Sequence, residues 1–519
     1  MLKVMSRNRK ILVRLLALLT FIVLVLIVWA TLSSYLYYRR DLRSGQMHVM
    51  PPPLAGETIL IFAPHEDDEM LGAGGYIQQA VAAGAHVHLV FMTNGEYPEI
   101  DVILFERSLS SNPQRFIRLG LMRQQESLNA LQFLGVPRAN VAFLGYPNGY
   151  LYRMWEPAHW LPGDPVTSAR TRSTHAPYAN AFTPHAGYCG QSVLQDVETV
   201  LHAVQPDIVI TLHPEDIHVD HWPTYTFVQY ALLELAARGE GFAAKARLYT
   251  YLIHRPPWPE PRGYWPELPL LPPAPLVSLQ QTDWLSLPLK RAETDNKHRA
   301  LACYHTQGGA FDPLLQAFPR ANELFGAVPI QRWTSSPGPP RTIVRDPAAD
   351  NYLSAGNPSG DILAVTLGVD AHNAMTAGLQ VRGPAGPGMV YHFALHGGGV
   401  TAADRVFVEY DWTTTSSYGL KLRNGKLQTL DAKTLRVAYA GNITKLTAPW
   451  PLQGTPTAFF MARAWTTAAH RETIIDQTAT ATFTIPPPAS PETWQPFDRF
   501  AYPAKIAMMG SVFRWGSDQ

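Results

Sequence analysis

The sequence predicts an α/β fold: a Rossmann-like, mostly parallel sheet with helices on both faces, followed by an all-β, sandwich-like module and preceded by a transmembrane helix. Three observations carry that expectation. Short apolar, β-rich runs alternate with helical patterns between residues 57 and 253, as in βα units whose sheet is covered on both faces. Beyond residue 346, strand-like runs follow one another with no clear helical stretch between them, which reads as a β-sandwich or similar module. Near the amino terminus, residues 15–32 form an apolar stretch without charge. At 1.5 Å per residue it spans roughly 27 Å, enough for a bilayer core.

Composition narrows the function classes. The chain has 519 residues, 46% of them hydrophobic. That is a globular composition too long for one ordinary core. Lysine plus arginine number 42 and aspartate plus glutamate 41. No basic field exists to attract a phosphate backbone, so nucleic acid is excluded as a partner. Proline, at 45 residues, is well above its usual ~5% share and implies long rigid loops. Cys189 and Cys303 are the two cysteines. They are too few for a disulfide framework or a four-cysteine zinc site. Whether they bond to each other is open, and two buried thiols are the simpler reading. Oligomeric state is not legible.

Residues 1–40 are read as a basic segment and membrane anchor, and 41–55 as a linker containing Met50-Pro51-Pro52-Pro53. Lys3, Arg7, Arg9, Lys10 and Arg14 precede the apolar stretch, and Arg39, Arg40 and Arg43 follow it. The excess on the amino side places that end inside and the following domain outside the membrane. Val28-Trp29-Ala30 fits a cleavage pattern, so a cleaved signal peptide is the alternative. Tyr35, Tyr37 and Tyr38 resemble an interfacial belt and favour an uncleaved anchor.

Residues 56–334 are the expected α/β domain. Its strands are expected at 57–63, 86–92, 141–146, 207–212 and 246–253, and its helices at 72–85, 123–135, 193–204 and 223–236. Residues 150–190 and the proline-dense 255–275 interrupt the alternation. Loops of that length are usually functional or disordered. Their tryptophans and tyrosines suit either a substrate rim or anchors that pin the loops to the body. Residues 335–345 read as a linker, 346–490 as the β module and 491–519 as a tail. Strands of the module are expected at 363–369, 389–395, 405–410, 435–439 and 480–485.

Two clusters carry chemistry. Ala63-Pro64-His65-Glu66-Asp67-Asp68-Glu69 begins where the first strand ends, at the sheet edge where open α/β folds bind ligands. Four acids beside one histidine repel one another. A divalent cation relieves that repulsion, and histidine with carboxylate is a zinc-type ligand set. The alternative is a solvated acidic turn that caps the next helix. His213-Pro214-Glu215-Asp216-Ile217-His218-Val219-Asp220-His221 begins where the 207–212 strand ends. Three histidines and three acids in so short a run are hard to explain as packing. Gly72-Ala73-Gly74-Gly75 lacks the G-x-G-x-x-G spacing of a phosphate loop, and no nucleotide role is assigned to it.

The pair of clusters resembles the PIG-L/LmbE-like de-N-acetylase family. His65-Glu66-Asp67-Asp68-Glu69 is similar to that family's (A/P)-H-P-D-D-E motif, and Asp216 to His221 fits its D-x-H-x-D-H motif at every position. Thr93-Asn94-Gly95-Glu96, Arg123 with Glu126, and Tyr304-His305-Thr306-Gln307 are weaker echoes. The resemblance covers about residues 57–310. It implies that His65, Asp68 and His221 hold Zn2+ and that Asp67 is the general base. It further implies that His218 stabilises the oxyanion or protonates the leaving amine, and that Asp220 orients His218. Glu66 stands where the family has proline, and Asn148 where many members have aspartate. The second departure weakens a substrate role for the loop at 146–149.

The implied activity is a zinc-dependent hydrolase that removes an acetyl or other acyl group from the amine of an amino sugar. Export favours a glycolipid, surface glycan or glycoconjugate as its partner. The rival readings are an amidase for another N-acyl substrate and a non-catalytic carbohydrate-binding protein. The filled catalytic positions argue against the latter.

Overall fold

The computed structural model describes residues 2–42, 47–96, 112–308, 312–334, 337–350, 352–469 and 473–485. The expected tail at 491–519 lies outside the described residues. One eight-stranded sheet contains β1 (His48–Val49), β2 (Thr58–Ala63), β3 (His86–Thr93), β4 (Val141–Tyr146), β5 (Ile208–Leu212), β6 (Arg247–Tyr251), β7 (Asp283–Pro288) and β8 (Asn322–Ala327). Its order is β1-β7-β8-β6-β5-β2-β3-β4. The run β6-β5-β2-β3-β4 is parallel throughout. β8 is antiparallel to both β6 and β7.

The apolar runs are unbroken because both faces of the sheet are buried. Ile59, Ile61 and Ala63 of β2 enter one core with Met70, Tyr76 and Leu131. Leu60 and Phe62 enter the other with Val193, Val197 and Phe227. The helix expected at 123–135 starts earlier, at Pro113, and runs to Phe133. Asn112 caps it by accepting from the Gln114 N–H at 3.0 Å, and proline suits its first turn.

An amino-terminal helix spans Leu2–Asp41, and Arg14–Asp41 is long and apolar enough to cross a membrane by length and composition. Its carboxyl end touches the proline-dense stretch. Ser34 Oγ donates to Glu260 Oε2 at 2.7 Å, and the Ala274 N–H donates to Asp41 Oδ1 at 3.0 Å.

The carboxyl half forms two further sheets. The first orders Arg341–Arg345, Ile362–Val369, Ala374–Val381, Ile443–Pro449 and Arg436–Ala440. The second orders Lys426–Thr429, Ser417–Arg423, Val406–Trp412, Met389–Gly399, Thr457–Ala468, Ala481–Thr484 and Gln331–Arg332, with Ile474–Gln477 paired to Thr457–Ala468. Val365, Leu367, Leu379 and Leu446 of the first meet Phe393, Leu395, Val408 and Phe460 of the second in one core. Two strands fall where the sequence suggested otherwise. Arg341–Arg345 lies inside the expected linker, and Gln331–Arg332 precedes it.

The second sheet is apolar on its outer face too. Phe407, Leu422, Phe459 and Met461 enter the core beneath the helix His221–Ala237. Tyr230 of that helix donates its hydroxyl to the Gly397 carbonyl at 3.0 Å. Trp155 and Trp160, which could have formed a substrate rim, pack against Phe407 at ring distances of 5.9 and 4.2 Å. Trp258 is likewise buried, whereas Trp265 is exposed. Cys189 is buried, Cys303 is half-buried, and both are free thiols.

Candidate metal centre

The strand order reverses between β2 and β5. β3 and β4 extend the sheet beyond β2, and β6 extends it beyond β5. The carboxyl ends of strands at such a reversal form a crevice suited to ligands. Residues 65–69 leave β2 there, and residues 213–221 leave β5. Asp68 opens the helix Asp68–Ala83, and His221 opens the helix His221–Ala237. Both side chains are thus fixed on rigid elements beside each other.

Three atoms define the centre. His65 Nδ1 lies 3.2 Å from Asp68 Oδ2. His221 Nε2 lies 3.3 Å from Asp68 Oδ2 and 3.2 Å from His65 Nδ1. Tetrahedral zinc with bonds near 2.0–2.1 Å separates its ligand atoms by about 3.3 Å. The triangle therefore has the dimensions of one face of such a site. A wider group adds His218, whose ring nitrogen lies within 4.8 Å of those of His65 and His221. Asp68, His221 and His254 form another group of that size. His254 follows β6 and had no motif to mark it.

Each imidazole is oriented by a carboxylate on its far side. His65 Nε2 is 3.0 Å from Asp220 Oδ2, and His221 Nδ1 is 3.1 Å from Asp216 Oδ2. Such partners fix the tautomer and raise ligand basicity. The Asp220 side chain thus faces His65, while its backbone N–H reaches His218. The Asp220 carboxylate also accepts from the Gly149 N–H at 2.5 Å and the Leu151 N–H at 2.9 Å. His218 Nδ1 accepts from the backbone N–H of Asp220 at 3.1 Å. A neutral His218 ring therefore carries its proton on Nε2.

Electrostatics match a site built for a cation. Burial pulls the His65 pKa down, but hydrogen bonds to Asp220 and Asp68 outweigh it and hold the ring at about 9. Burial likewise opposes the charge on His221, yet Asp216 and Asp68 raise it well above the usual histidine range. Burial would raise Asp68, but His221 and His65 hold it well below the usual carboxylate range. Metal binding here would release those protons. His218 is held well below its usual value by burial and by His221 and His65.

Asp67 sits at φ 122°, a left-handed region unfavourable to a side chain. Backbone strain of this kind costs of order 1–3 kcal/mol and clusters at functional sites. Its N–H donates to Glu69 Oε2 at 3.1 Å. Burial, then the charges of Asp68 and Glu69, raise its carboxyl well above the usual range.

The weaker echoes converge on the same place. Tyr304 donates to Glu69, and Gln307 donates to the Glu66 carbonyl. Thr306 donates to Glu126 through its N–H at 2.9 Å and its hydroxyl at 2.7 Å. Arg123 donates to the Gly95 carbonyl. Glu96 accepts from the Asn148 N–H at 3.2 Å and from Tyr178 Oη at 2.6 Å. Gly72 serves packing: a Cβ there would meet the Tyr251 ring at 2.1 Å. His213 stacks on Trp284 at 4.9 Å with its Nε2 3.0 Å from Thr282 Oγ1, away from the triangle.

The family model described as GlcNAc-PI de-N-acetylase, PIG-L, matches residues 60–232, a span that holds every residue of the triangle. Residues 60–232 are a PIG-L domain. Over 216 residues the chain is 31% identical to a 1D-myo-inositol 2-acetamido-2-deoxy-alpha-D-glucopyranoside deacetylase of Segniliparus rotundus, covering 40% of this chain and 56% of that protein. A protein of the same description from Kribbella flavida is 27% identical over 212 residues, covering 41% of this chain and 62% of its own length. The chain thus spans less than two thirds of the curated relatives it matches. Among solved structures, the N,N'-diacetylchitobiose deacetylase of Pyrococcus horikoshii is similar at 19% identity and a TM-score of 0.29, covering 48% of this chain and 70% of that one.

Proposed function

We propose that this chain is a zinc-dependent N-deacetylase that acts on an N-acetylated amino sugar. The observation that carries the reading is the triangle of His65 Nδ1, Asp68 Oδ2 and His221 Nε2, with edges of 3.2–3.3 Å inside a PIG-L domain. Two imidazoles and one carboxylate are a hydrolytic zinc set that leaves one position open. The chemistry such a site supplies is Lewis-acid polarisation of the acyl carbonyl and acidification of water.

The chain's own residues do the rest. Asp67, buried beside Asp68, accepts the proton of the attacking water and later returns it to the departing amine. His218 donates from Nε2 to the oxyanion, because its Nδ1 is occupied by the Asp220 N–H. Asp220 and Asp216 hold His65 and His221 in register. The curated relatives' names specify an acetamido sugar, which supports an amino-sugar substrate here.

The helix Arg14–Asp41 is proposed as an uncleaved membrane anchor, supported by its apolar length and by the belt of Tyr35, Tyr37 and Tyr38 at its carboxyl end. The excess of basic residues before it supports a catalytic domain outside the membrane, where glycolipids and surface glycans would be the accessible substrates. Residues 56–334 and 346–490 are proposed as the two functional units.

Acetate release from an N-acetylglucosaminide by the purified chain tests this reading. Chelation is expected to abolish it and added zinc to restore it. Full activity in metal-free protein would contradict it.

A further inference from the structure

Four carboxylates from three segments of the chain converge where the loop after β5 meets the sandwich. Glu215 belongs to that loop. Asp346 and Asp350 follow the strand Arg341–Arg345, and Asp476 lies on Ile474–Gln477. Glu215, Asp346 and Asp476 are 5%, 3% and 1% exposed, and the Asp350 side chain is 3% exposed. Carboxylate oxygens of Asp346, Asp350 and Asp476 lie within 4.8 Å of one another.

The cation that meets them is Arg255. Its Nη2 is 2.6 Å from Asp350 and 3.6 Å from Glu215. One guanidinium cannot balance four buried carboxylates, and buried charges need partners. Among the described residues, neither oxygen of Asp346 has a hydrogen-bond partner. Neither oxygen of Glu215, which stands outside the group of three, has one either. Buried polar atoms are rarely left bare, and those that are call for an ion or water.

We propose that Asp346, Asp350 and Asp476 hold a hard divalent cation of the calcium class, with Glu215 facing it. The donor set is all oxygen and all anionic, which selects against nitrogen- and sulfur-seeking metals. Calcium accepts six to eight oxygens in irregular geometry, whereas magnesium demands a near-ideal octahedron. Groups drawn from three segments suit the former. A cavity of about 610 Å³ lined by Asp350, Asp476, Ile217 and Gln477 gives the ion a route in. Gln477, beside Asp476, donates to the Ile217 carbonyl at 3.1 Å. The ion would thus sit where the sandwich meets the loop that carries His218 and His221, with Glu215 of that loop facing it. This site is independent of the deacetylase reading.

The test uses the full chain in detergent, stripped by chelator and reloaded with zinc. Titration with Ca2+ by calorimetry, with the thermal midpoint followed in parallel, should show saturable binding and a raised midpoint. Asp346→Asn and Asp476→Asn keep the side-chain shape and remove repulsive charge, so both should stay folded and keep their zinc. Each should lose Ca2+ affinity by on the order of 10-fold or more. Mg2+ and Zn2+ serve as competitors. The proposal is overturned if the wild-type chain binds no Ca2+ at millimolar concentration, if either variant keeps wild-type affinity, or if Zn2+ outcompetes Ca2+ at the site. Because zinc content is read separately, failure here is distinguishable from failure of the catalytic assignment.

Discussion

The Nε2 of His65 lies 3.0 Å from Oδ2 of Asp220, and the same ring presents Nδ1 to Asp68 Oδ2 at 3.2 Å. The carboxylate is itself held by the N–H groups of Gly149 and Leu151. Asp220 is thus linked to Asp68 through the His65 ring. Asp220→Asn is expected to lower zinc affinity by about 10–100-fold, the usual effect of losing such a partner. Competition with a graded chelator measures it. Unchanged affinity would return Asp220 to the role of a partner for His218.

The sandwich is predicted to be part of the folding unit. Phe407 is fully buried and meets Trp155, Trp160 and Tyr230 at ring distances of 5.9, 4.2 and 5.7 Å. Phe407→Ala should cost about 3–5 kcal/mol, as deletion of a buried ring usually does. Denaturant unfolding followed by fluorescence reads the loss. A chain cut after Thr334 should aggregate, because it bares the same face of Trp155 and Tyr230. A change below about 1 kcal/mol on Phe407→Ala would show a loosely docked module.

Acid should unfold the protein partly through two buried histidines outside the triangle. Burial holds His213 at about 3, and burial with the Arg463 charge holds His396 at about 3. Their unfolded value is near 6.5. The folded pKa is the lower one, so the stability they support is complete above about pH 6.5 and is lost as pH falls toward 3. Each contributes a slope of about 1.4 kcal/mol per pH unit within that window. His396→Leu should flatten the acid limb in denaturant titrations from pH 7 to pH 4. Parallel limbs for variant and wild type would contradict this.

The juxtaposition of His65, Asp68 and His221 was legible because both clusters are contiguous and begin where a strand ends. Alternating apolar runs located β2 and β5, and the edge rule placed residues 65–69 and 213–221 together. Asp220's partner was not legible, since the turn at Gly149 and Leu151 decides which way its carboxylate faces. His254 is a lone histidine before a proline run, carried to the site by the end of β6. Sandwich docking was also hidden. In Val406–Trp412 the residues Val406, Val408 and Tyr410 face the sandwich core, while Phe407 faces the α/β domain. One strand with both faces apolar shows double burial without naming what covers it.

The central claim is that His65, Asp68 and His221 hold the metal while neighbouring Asp67 works as a base. Zinc content and acetate release measured together on Asp67→Asn and Asp68→Asn test it most directly. Asp67→Asn should keep its zinc and lose turnover by on the order of 10²–10⁴. Asp68→Asn should lose its zinc, since one edge-sharing ligand at 3.2–3.3 Å from both imidazoles is gone. An Asp67→Asn protein without zinc beside a fully loaded Asp68→Asn protein would contradict the account.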